Sequence, residues 1–289
     1  MPIDVTAALT ADPTVRAARW TERDVILYHL GLGAGADSLD PAELRWVYEK
    51  NLRVLPTFAM VAGQGISAGA VTHAGLNLPG IDIDLRRILH GGQSVTVHAP
   101  IPVSGSATLS SRVSDVWDKG KAAVIVLEQS AVDSDGKPLW TTAMQIWARG
   151  EGGFGGAAGP ETSSTVPERE ADKVLVSPTS PQQALVYRLS ADMNPLHADP
   201  DFAKSAGFDR PILHGLASYG VVCKAVVDGL LDGDPTRVRS FSVRFAGSLY
   251  PGETIETAVW RDGDTLTIVA TCPERDGGPV LTHATMEIR

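Results

Sequence analysis

This 289-residue chain has little cysteine, no long hydrophobic run and no excess of positive charge. Its two cysteines, Cys223 and Cys272, are too few for a disulfide framework. The net charge of −9 argues against a nucleic-acid surface. Apolar runs such as residues 122–127 are the size of strands, and the first residues lack a basic segment followed by an apolar stretch. The sequence therefore predicts a soluble, cytoplasmic protein without a nucleic-acid or membrane partner.

The composition is typical of a globular protein with a hydrophobic core, since hydrophobic residues make up 43% of the chain. One low-complexity stretch, residues 150–169, is rich in glycine, serine, proline and glutamate. Such a stretch buries too little apolar surface to order itself fully. It predicts a linker at 158–170 between an N-terminal domain at 1–157 and a C-terminal domain at 171–289.

The two halves repeat one pattern of strands and turns. Residues 102–149 begin with a proline turn and an alternating strand. An Asp/Gly hairpin and a β-branched strand follow, and then a second Asp-Gly turn and a last alternating strand. The same order recurs from 251 to 288. Hairpin signals in this order predict a three-stranded antiparallel meander in each half.

An apolar stretch rich in small residues precedes each meander. Residues 212–231 are apolar nearly all round and predict a buried helix of about five turns. Residues 54–71 contain enough glycine to form a loose or broken helix. Periodicity alone indicates an α+β fold with two similar halves. A long helix wrapped by an antiparallel sheet is the hot-dog arrangement, so by analogy we predict a double hot-dog.

The segment YRLSADMNPLHADP at 187–200 gathers an acid, an amide and an imidazole within six residues, at Asp192, Asn194 and His197. Each of its two prolines follows a residue that commonly caps helices, which predicts that the strand-like residues 185–189 give way to a turn and a short helix. Capping and a carbonyl hydrogen bond would suffice to explain an isolated motif of this kind. The loop also allows Asp192 and His197 to converge on one small volume.

A second element favours chemistry over capping. His214-Gly215 opens the predicted buried helix, where a glycine lets a substrate approach the backbone. The free N–H groups of a helix N-terminus favour negative charge there. An acid, an imidazole and an oxyanion donor together suit the addition of water next to a thioester or similar carbonyl.

These stretches resemble the hydratase 2 motif of the MaoC-like dehydratase family, Y-x-L-S-A-D-x-N-P-L-H-x-D-P followed by ILHGL. The likeness covers most of the chain and is closest to the two-hot-dog (3R)-specific enoyl-CoA hydratases, also called 3-hydroxyacyl-thioester dehydratases. It extends to LPTF at 55–58, LHGGQ at 89–93, DKG at 118–120, GGFGG at 152–156 and RFAGSLYPGET at 244–254. The family usually has glycine before the acid, and Ala191 would strain the loop if that position needs a positive φ.

The resemblance implies roles for nine residues. Asp192 and His197 are implied to be the catalytic pair, and Asn194 is implied to orient them. The N–H of Gly215 is implied to be the oxyanion donor. The acyl-CoA path is implied to be lined by His90, Gly91, Lys119 and Phe245, with Phe154 closing over it. Simpler interpretations stand beside these: Lys119 as a charge at a hairpin tip, and His90 or Phe245 as core residues.

The implied activity is reversible hydration of trans-2-enoyl-CoA to (3R)-3-hydroxyacyl-CoA, in β-oxidation-type breakdown of fatty acyl or steroid side-chain thioesters. The resemblance also implies a homodimer, and we expect no cofactor and no metal. Each chain is expected to hold one active site, because the first half has no acid-x-Asn-Pro-x-His stretch. Pro56 and Thr57 stand there in the places of His214 and Gly215.

Other functions remain open at this point. A thioesterase of the same fold also needs an acid and an oxyanion donor, and a non-catalytic acyl-CoA-binding module needs no acid and imidazole pair. A metal enzyme built on His197, Asp199 and His214 would require a further well-placed ligand, and none is evident. A serine hydrolase is disfavoured because GLASYG at 215–220 is one residue too long for G-x-S-x-G.

Overall fold

The computed structural model describes residues 3–64, 75–84, 87–160, 166–190 and 192–289. Three features singled out in the sequence lie outside the described residues. They are Ala191, the glycine-rich and alanine-rich residues 65–71, and residues 161–165 of the expected linker.

The described strands fall into two groups along the chain. The first group contains β1 (Thr14–Trp20), β2 (Gly75–Leu78), β3 (Ile81–Asp84), β4 (Ile88–Val97), β5 (Gly105–Asp118), β6 (Ala122–Val132) and β7 (Pro138–Arg149). The second group contains β8 (Lys173–Pro178), β9 (Val238–Phe245), β10 (Thr254–Asp262), β11 (Thr265–Cys272) and β12 (Gly278–Ile288).

The α-helices described are short apart from the second and the last. They are α1 (Val5–Thr10), α2 (Glu22–Gly31), α3 (Pro41–Val47), α4 (Gln183–Tyr187), α5 (Pro200–Ser205) and α6 (Gly215–Leu230). Among the described residues, no helix combines the length and the apolar character that crossing a bilayer requires.

Within the described residues, ten strands form a single antiparallel sheet in the order β1-β5-β6-β7-β4-β9-β12-β11-β10-β8, and β2 with β3 forms a separate ribbon. The two predicted meanders are confirmed as β5-β6-β7 and β10-β11-β12. Their Asp-Gly turns place Gly136 and Gly277 at φ angles of 79° and 73°, which suit glycine. The pairing of β4 with β9 joins the two halves edge to edge.

Helix α6 is the buried central helix predicted at 212–231. Its side chains Tyr219, Val222 and Val226 are fully buried in the main hydrophobic cluster. The Tyr219 ring stacks on Phe241 of β9 with centroids 4.6 Å apart, and its hydroxyl donates to the Phe241 carbonyl at 2.7 Å. These contacts fix the helix against the joint between the two halves, and the arrangement is the double hot-dog that the sequence predicted.

The corresponding stretch of the first half begins with 3₁₀ turns at Pro56–Met60 and Ala62–Gln64. Gly63, at φ 60°, breaks the helical path within the second turn. The prediction of a loose or broken helix is therefore confirmed for its described part. The side chains of the first turn are buried all the same, so this segment fills the core without forming a regular helix.

The prediction of a strand at 185–189 is wrong. Residues Gln183–Tyr187 form α4, and a 3₁₀ turn follows at Arg188–Ser190. Valine and tyrosine favour strands locally, but α4 lies tight against α2. A Cβ added at Gly31 would come within 2.9 Å of the Tyr187 Cα. Tertiary packing therefore overrides the local preference.

Candidate active site

The loop that carries the candidate acid and base is fixed by caps. The side-chain oxygen of Asn194 accepts a hydrogen bond from the Leu196 N–H at 3.0 Å and so caps the 3₁₀ turn Pro195–His197. Asp199 caps α5 through two backbone N–H groups. Both caps agree with the Asn-Pro and Asp-Pro signals in the sequence. They hold the backbone on either side of the imidazole in place.

Asp192 and His197 face each other, with 4.0 Å between the Oδ2 of the acid and the Nε2 of the imidazole. The second carboxylate oxygen accepts from the Asn194 N–H at 3.1 Å, and Nδ1 of His197 lies 2.8 Å from the Ile212 carbonyl oxygen. Because a carbonyl only accepts, Nδ1 carries the proton of the neutral ring and Nε2 keeps its lone pair. A single water molecule can bridge a gap of this size.

Burial keeps the imidazole neutral. The side chain of His197 is 9% exposed, and burial lowers its pKa below the usual 6.5. The Asp192 side chain is 44% exposed, so it meets the cavity while His197 closes the wall behind it. A neutral imidazole next to a carboxylate is suited to accept a proton from water near neutral pH.

His214 links the parts of this site, a role that sequence reasoning missed. Its ring stacks on the His197 ring with centroids 3.7 Å apart and planes 25° apart. Its Nε2 donates to the main-chain carbonyl of Asp192 at 3.1 Å, and its ring also contacts Tyr187. The sequence marked His214 as the residue before the helix and as a possible metal ligand, but stacking across a loop leaves no local signal.

Gly215 begins α6 at the cavity wall. The first N–H groups of an α-helix have no acceptor within the helix, and no described residue accepts from the Gly215 N–H. A Cβ added at this position would lie 3.1 Å from the Phe245 ring. The absence of a side chain therefore leaves the N–H open to a ligand that enters between the helix start and Phe245.

A cavity of about 1230 Å³ opens in front of these groups. Four of the five residues that the resemblance placed on the acyl-CoA path line it, namely His90, Gly91, Lys119 and Phe245. His90 packs edge-on against Phe245 with ring centroids 4.6 Å apart, and its Nε2 lies 3.0 Å from the Gln93 Oε1. The cavity thus spans both halves of the chain.

Phe154 lies elsewhere and is not among the lining residues of the described cavity. Its ring packs against the smaller hydrophobic cluster that contains Ile125 and Ile146. The GGFGG loop around it is tied to the β5-β6 hairpin, because the Asp118 carboxylate accepts from the N–H groups of Gly153 and Gly155, both at 2.8 Å. Closure of Phe154 over the substrate stays a prediction.

Two tryptophans that the sequence analysis did not single out also line the cavity. Trp117 and Trp147 are both register partners of Val124, so these side chains form a row across β5, β6 and β7. The Lys119 ammonium lies 5.8 Å from the centroid of the Trp117 ring, within cation–π range. Strand alternation puts each tryptophan on a face, but only the cross-strand register brings the two together.

The structure brings Asp192 close to both histidines that the sequence analysis considered as metal ligands. Asp192, His197 and His214 each offer one ligand atom, and these atoms lie within 4.8 Å of one another. Asp192 is thus a third possible ligand beside His197 and His214, and the expectation that no metal is bound stays a prediction. Asp199, the acid considered from the sequence, caps α5 instead.

Buried histidines, His29 and His214 among them, make the folded protein sensitive to acid. Burial lowers the pKa of His29 to about 4 and that of His214 to about 3, from 6.5. Between pH 6.5 and 4 the unfolded chain binds more protons than the folded chain, so acid favours unfolding. We expect the melting temperature to fall across this window. A shallower fall for His29→Gln than for wild type is expected, whereas His98→Gln, at an exposed site, should follow wild type. Equal slopes for all three proteins would contradict this account.

Comparison with known families agrees with this geometry. The family model described as the MFE-2 hydratase 2 N-terminal domain matches residues 19–150, and the MaoC like domain matches residues 162–271. The chain is 51% identical to enoyl-CoA hydratase ChsH3 of Mycobacterium tuberculosis over 98% of both chains. It is 40% identical to the peroxisomal enoyl-CoA hydratase 2 of Arabidopsis thaliana, over 84% of this chain and 82% of the relative.

Among solved structures, a MaoC-like dehydratase from Phytophthora capsici superposes with a TM-score of 0.88 at 30% identity. The match covers 99% of this chain and 98% of the other. The 51% identity to ChsH3 over nearly the whole length and the matches to both domain models indicate the same family. The chain belongs to the MaoC-like dehydratase family, in the group that carries a hydratase 2 N-terminal domain.

Proposed function

We propose that the protein is a hydro-lyase that reversibly hydrates trans-2-enoyl-CoA to (3R)-3-hydroxyacyl-CoA. The observation that carries this proposal is the 4.0 Å gap between the Asp192 carboxylate and the His197 imidazole, at the wall of a cavity that also contains the Gly215 N–H. The names of the relatives, enoyl-CoA hydratase and 3-hydroxyacyl-thioester dehydratase, support the same reaction.

The chemistry follows from where charge develops. The thioester carbonyl draws electron density from C3, so a water oxygen can attack there while negative charge grows on the carbonyl oxygen. Asp192 and His197 hold that water, accept one of its protons and deliver a proton to C2. The Gly215 N–H donates to the carbonyl oxygen as its charge grows. Water adds across the double bond, and the groups required are those of the chain itself, without a cofactor.

The acyl-CoA path is proposed to run along the residues that line the cavity on both sides of the β4–β9 joint. His90 and Gly91 come from β4, and Phe245 closes the side next to the helix start. Lys119 adds a positive charge at the rim of a protein whose net charge is −9, where it suits the phosphates of CoA. The volume of about 1230 Å³ supports a fatty acyl or steroid side-chain group as the acyl part.

The proposal is tested by following the ultraviolet absorbance of the conjugated enoyl thioester, with enoyl-CoA substrates of increasing bulk. We expect the absorbance to fall without release of free thiol, and chiral analysis to give the (3R) product. Thiol release with the double bond intact would indicate a thioesterase. Substrate recovered unchanged after prolonged incubation would indicate a binding module. Either result would overturn the proposal.

One active site per chain is a further part of the proposal. Alignment of LPTF with LHGL sets Thr57 of the first half opposite Gly215. Thr57 is buried, and the residue before it, Pro56, begins the turn and has no N–H to donate to a ligand. The double variant Asp192→Asn/His197→Asn is expected to lose hydration down to background while still binding one acyl-CoA per chain. Calorimetric titration with a non-reactive acyl-CoA measures the binding. A residual rate well above background would mean that the first half is catalytic.

We also propose, from the resemblance, that the protein acts as a homodimer in the cytoplasm. Strand β8 is at one end of the sheet, and Val174 and Val176 on it are 50% and 66% exposed. Apolar side chains on an edge strand favour association with another chain. Light scattering of the purified protein gives its mass, and a value equal to one chain would contradict the dimer.

A further inference from the structure

We propose that Asp192, His197 and His214 bind one divalent transition-metal ion such as Zn²⁺, and that the bound ion inhibits the enzyme. The inhibition rests on the proposed function, whereas the binding does not. The ion takes the place between the carboxylate and the imidazole where the reacting water is held.

The donor set is one that Zn²⁺ prefers. Two imidazoles and a carboxylate leave a fourth tetrahedral position open, as in sites with three protein ligands. The three ligand atoms lie within 4.8 Å of one another, and the Asp192–His197 pair is already at 4.0 Å. Zinc–ligand bonds of about 2.0–2.1 Å require ligand atoms roughly 3.4 Å apart in a tetrahedron. The ligand atoms must therefore approach one another by up to about 1.4 Å when the ion binds.

The two imidazoles are held in the manner of metal ligands. His197 Nδ1 donates to the Ile212 carbonyl, and His214 Nε2 donates to the Asp192 carbonyl. A backbone carbonyl on one ring nitrogen fixes the tautomer and leaves the other nitrogen as a lone-pair donor. His214 is 1% exposed, and its Nδ1 has no hydrogen-bond partner among the described residues. A metal ion would supply a partner for a buried nitrogen of this kind.

Asp192 provides the movable part of the site. Its side chain is 44% exposed and accepts one described side-chain hydrogen bond, from the Asn194 N–H. Rotation of the carboxylate toward the stacked rings therefore breaks little. The same rotation closes the gap between the Asp192 carboxylate and the His197 imidazole, in which the reacting water is held. The ion also binds the His197 lone pair that would accept the proton of that water. Binding and hydration are for this reason mutually exclusive.

The binding is tested on the whole protein after treatment with a chelator. Titration with Co²⁺ is expected to produce a visible absorption band of four- or five-coordinate geometry at one ion per chain, and Zn²⁺ is expected to displace it. His214→Gln keeps a donor for the Asp192 carbonyl but removes the imidazole, and it should weaken binding by at least about tenfold. His283→Asn is the matched control, because His283 lines the same cavity at φ 47°, a conformation that asparagine tolerates.

The inhibition is tested with Zn²⁺ in the hydration assay. The rate is expected to fall over the same Zn²⁺ concentrations that displace Co²⁺ from the site, and to return when EDTA is added. A Co²⁺ band that is missing, that persists unchanged in His214→Gln, or that disappears in His283→Asn would overturn the site. Should His214→Gln fail to fold by circular dichroism, Asp192→Asn takes its place as the ligand variant.

A hydration rate that stays constant or rises with Zn²⁺ bound would contradict the proposed inhibition, whereas the proposed metal-binding site would still stand. If no enoyl-CoA is hydrated by the metal-free wild type, the proposed function fails, and the Co²⁺ titration still decides whether the site exists.

Discussion

Asp192→Asn and His197→Asn should each lower the rate of enoyl-CoA hydration about a thousandfold, within the range that general acid–base groups contribute. Asparagine at 192 keeps an oxygen for the Asn194 N–H but cannot accept a proton. Asparagine at 197 can still donate to the Ile212 carbonyl but has no basic nitrogen. The local hydrogen bonds survive in both variants, so the loss reports on proton transfer.

Initial rates for the two variants are to be measured beside His98→Asn. His98 lies outside the cavity lining and contacts the Thr141 hydroxyl at 2.9 Å, so its variant should keep the wild-type rate. Melting temperatures show whether each protein is folded. A folded variant at 192 or 197 that turns over at nearly the wild-type rate would remove that residue from the mechanism.

Gly215→Pro is expected to lower kcat about 10²- to 10³-fold, which is the usual effect of losing one oxyanion donor. Proline is well tolerated at the first position of a helix, where Gly215 stands. The preceding residue, His214, already has φ −59° and ψ 135°, which a following proline favours. The substitution therefore removes the N–H while the backbone keeps its path.

Gly215→Ala is the matched variant, because it adds a Cβ next to the Phe245 ring but keeps the N–H. Crowding against Phe245 should act on both variants, mainly through KM, whereas the loss of kcat should be confined to proline. Steady-state kinetics of the pair separates the two effects. An equal fall in kcat for alanine and proline would assign the effect to crowding and exclude the N–H as the oxyanion donor.

The parts of the fold with strong local signals were predictable from the sequence. Helix α6 follows from an apolar stretch of the right length, and the two meanders follow from alternating residues between Asp-Gly turns. The segment 185–189 was predicted as a strand because its composition favours one, and packing of Tyr187 against α2 decided otherwise. Prediction of secondary structure from the local sequence fails where contacts between residues distant in sequence outweigh the local strand propensity.

The candidate site also has parts that the sequence predicts and parts that it does not. Asp192, Asn194 and His197 lie in one short segment, so their spacing and the proline turns reveal their proximity. The stacking of His214 on His197 joins a loop to a helix start, and the row of Trp117 and Trp147 depends on strand register. Neither arrangement has a periodic signature, because both arise from tertiary structure.

The joint between β4 and β9 also determines when the active site comes into existence during folding. Gly92 pairs with Arg244 across about 150 residues of chain, and contacts so distant in sequence form slowly because the intervening loop must close first. On the ribosome the first half emerges long before β9, with the edge of β4 bare. An uncovered strand edge is a template for pairing with other chains. The joint that completes the cavity is therefore also the point at which an incomplete chain is most exposed to aggregation.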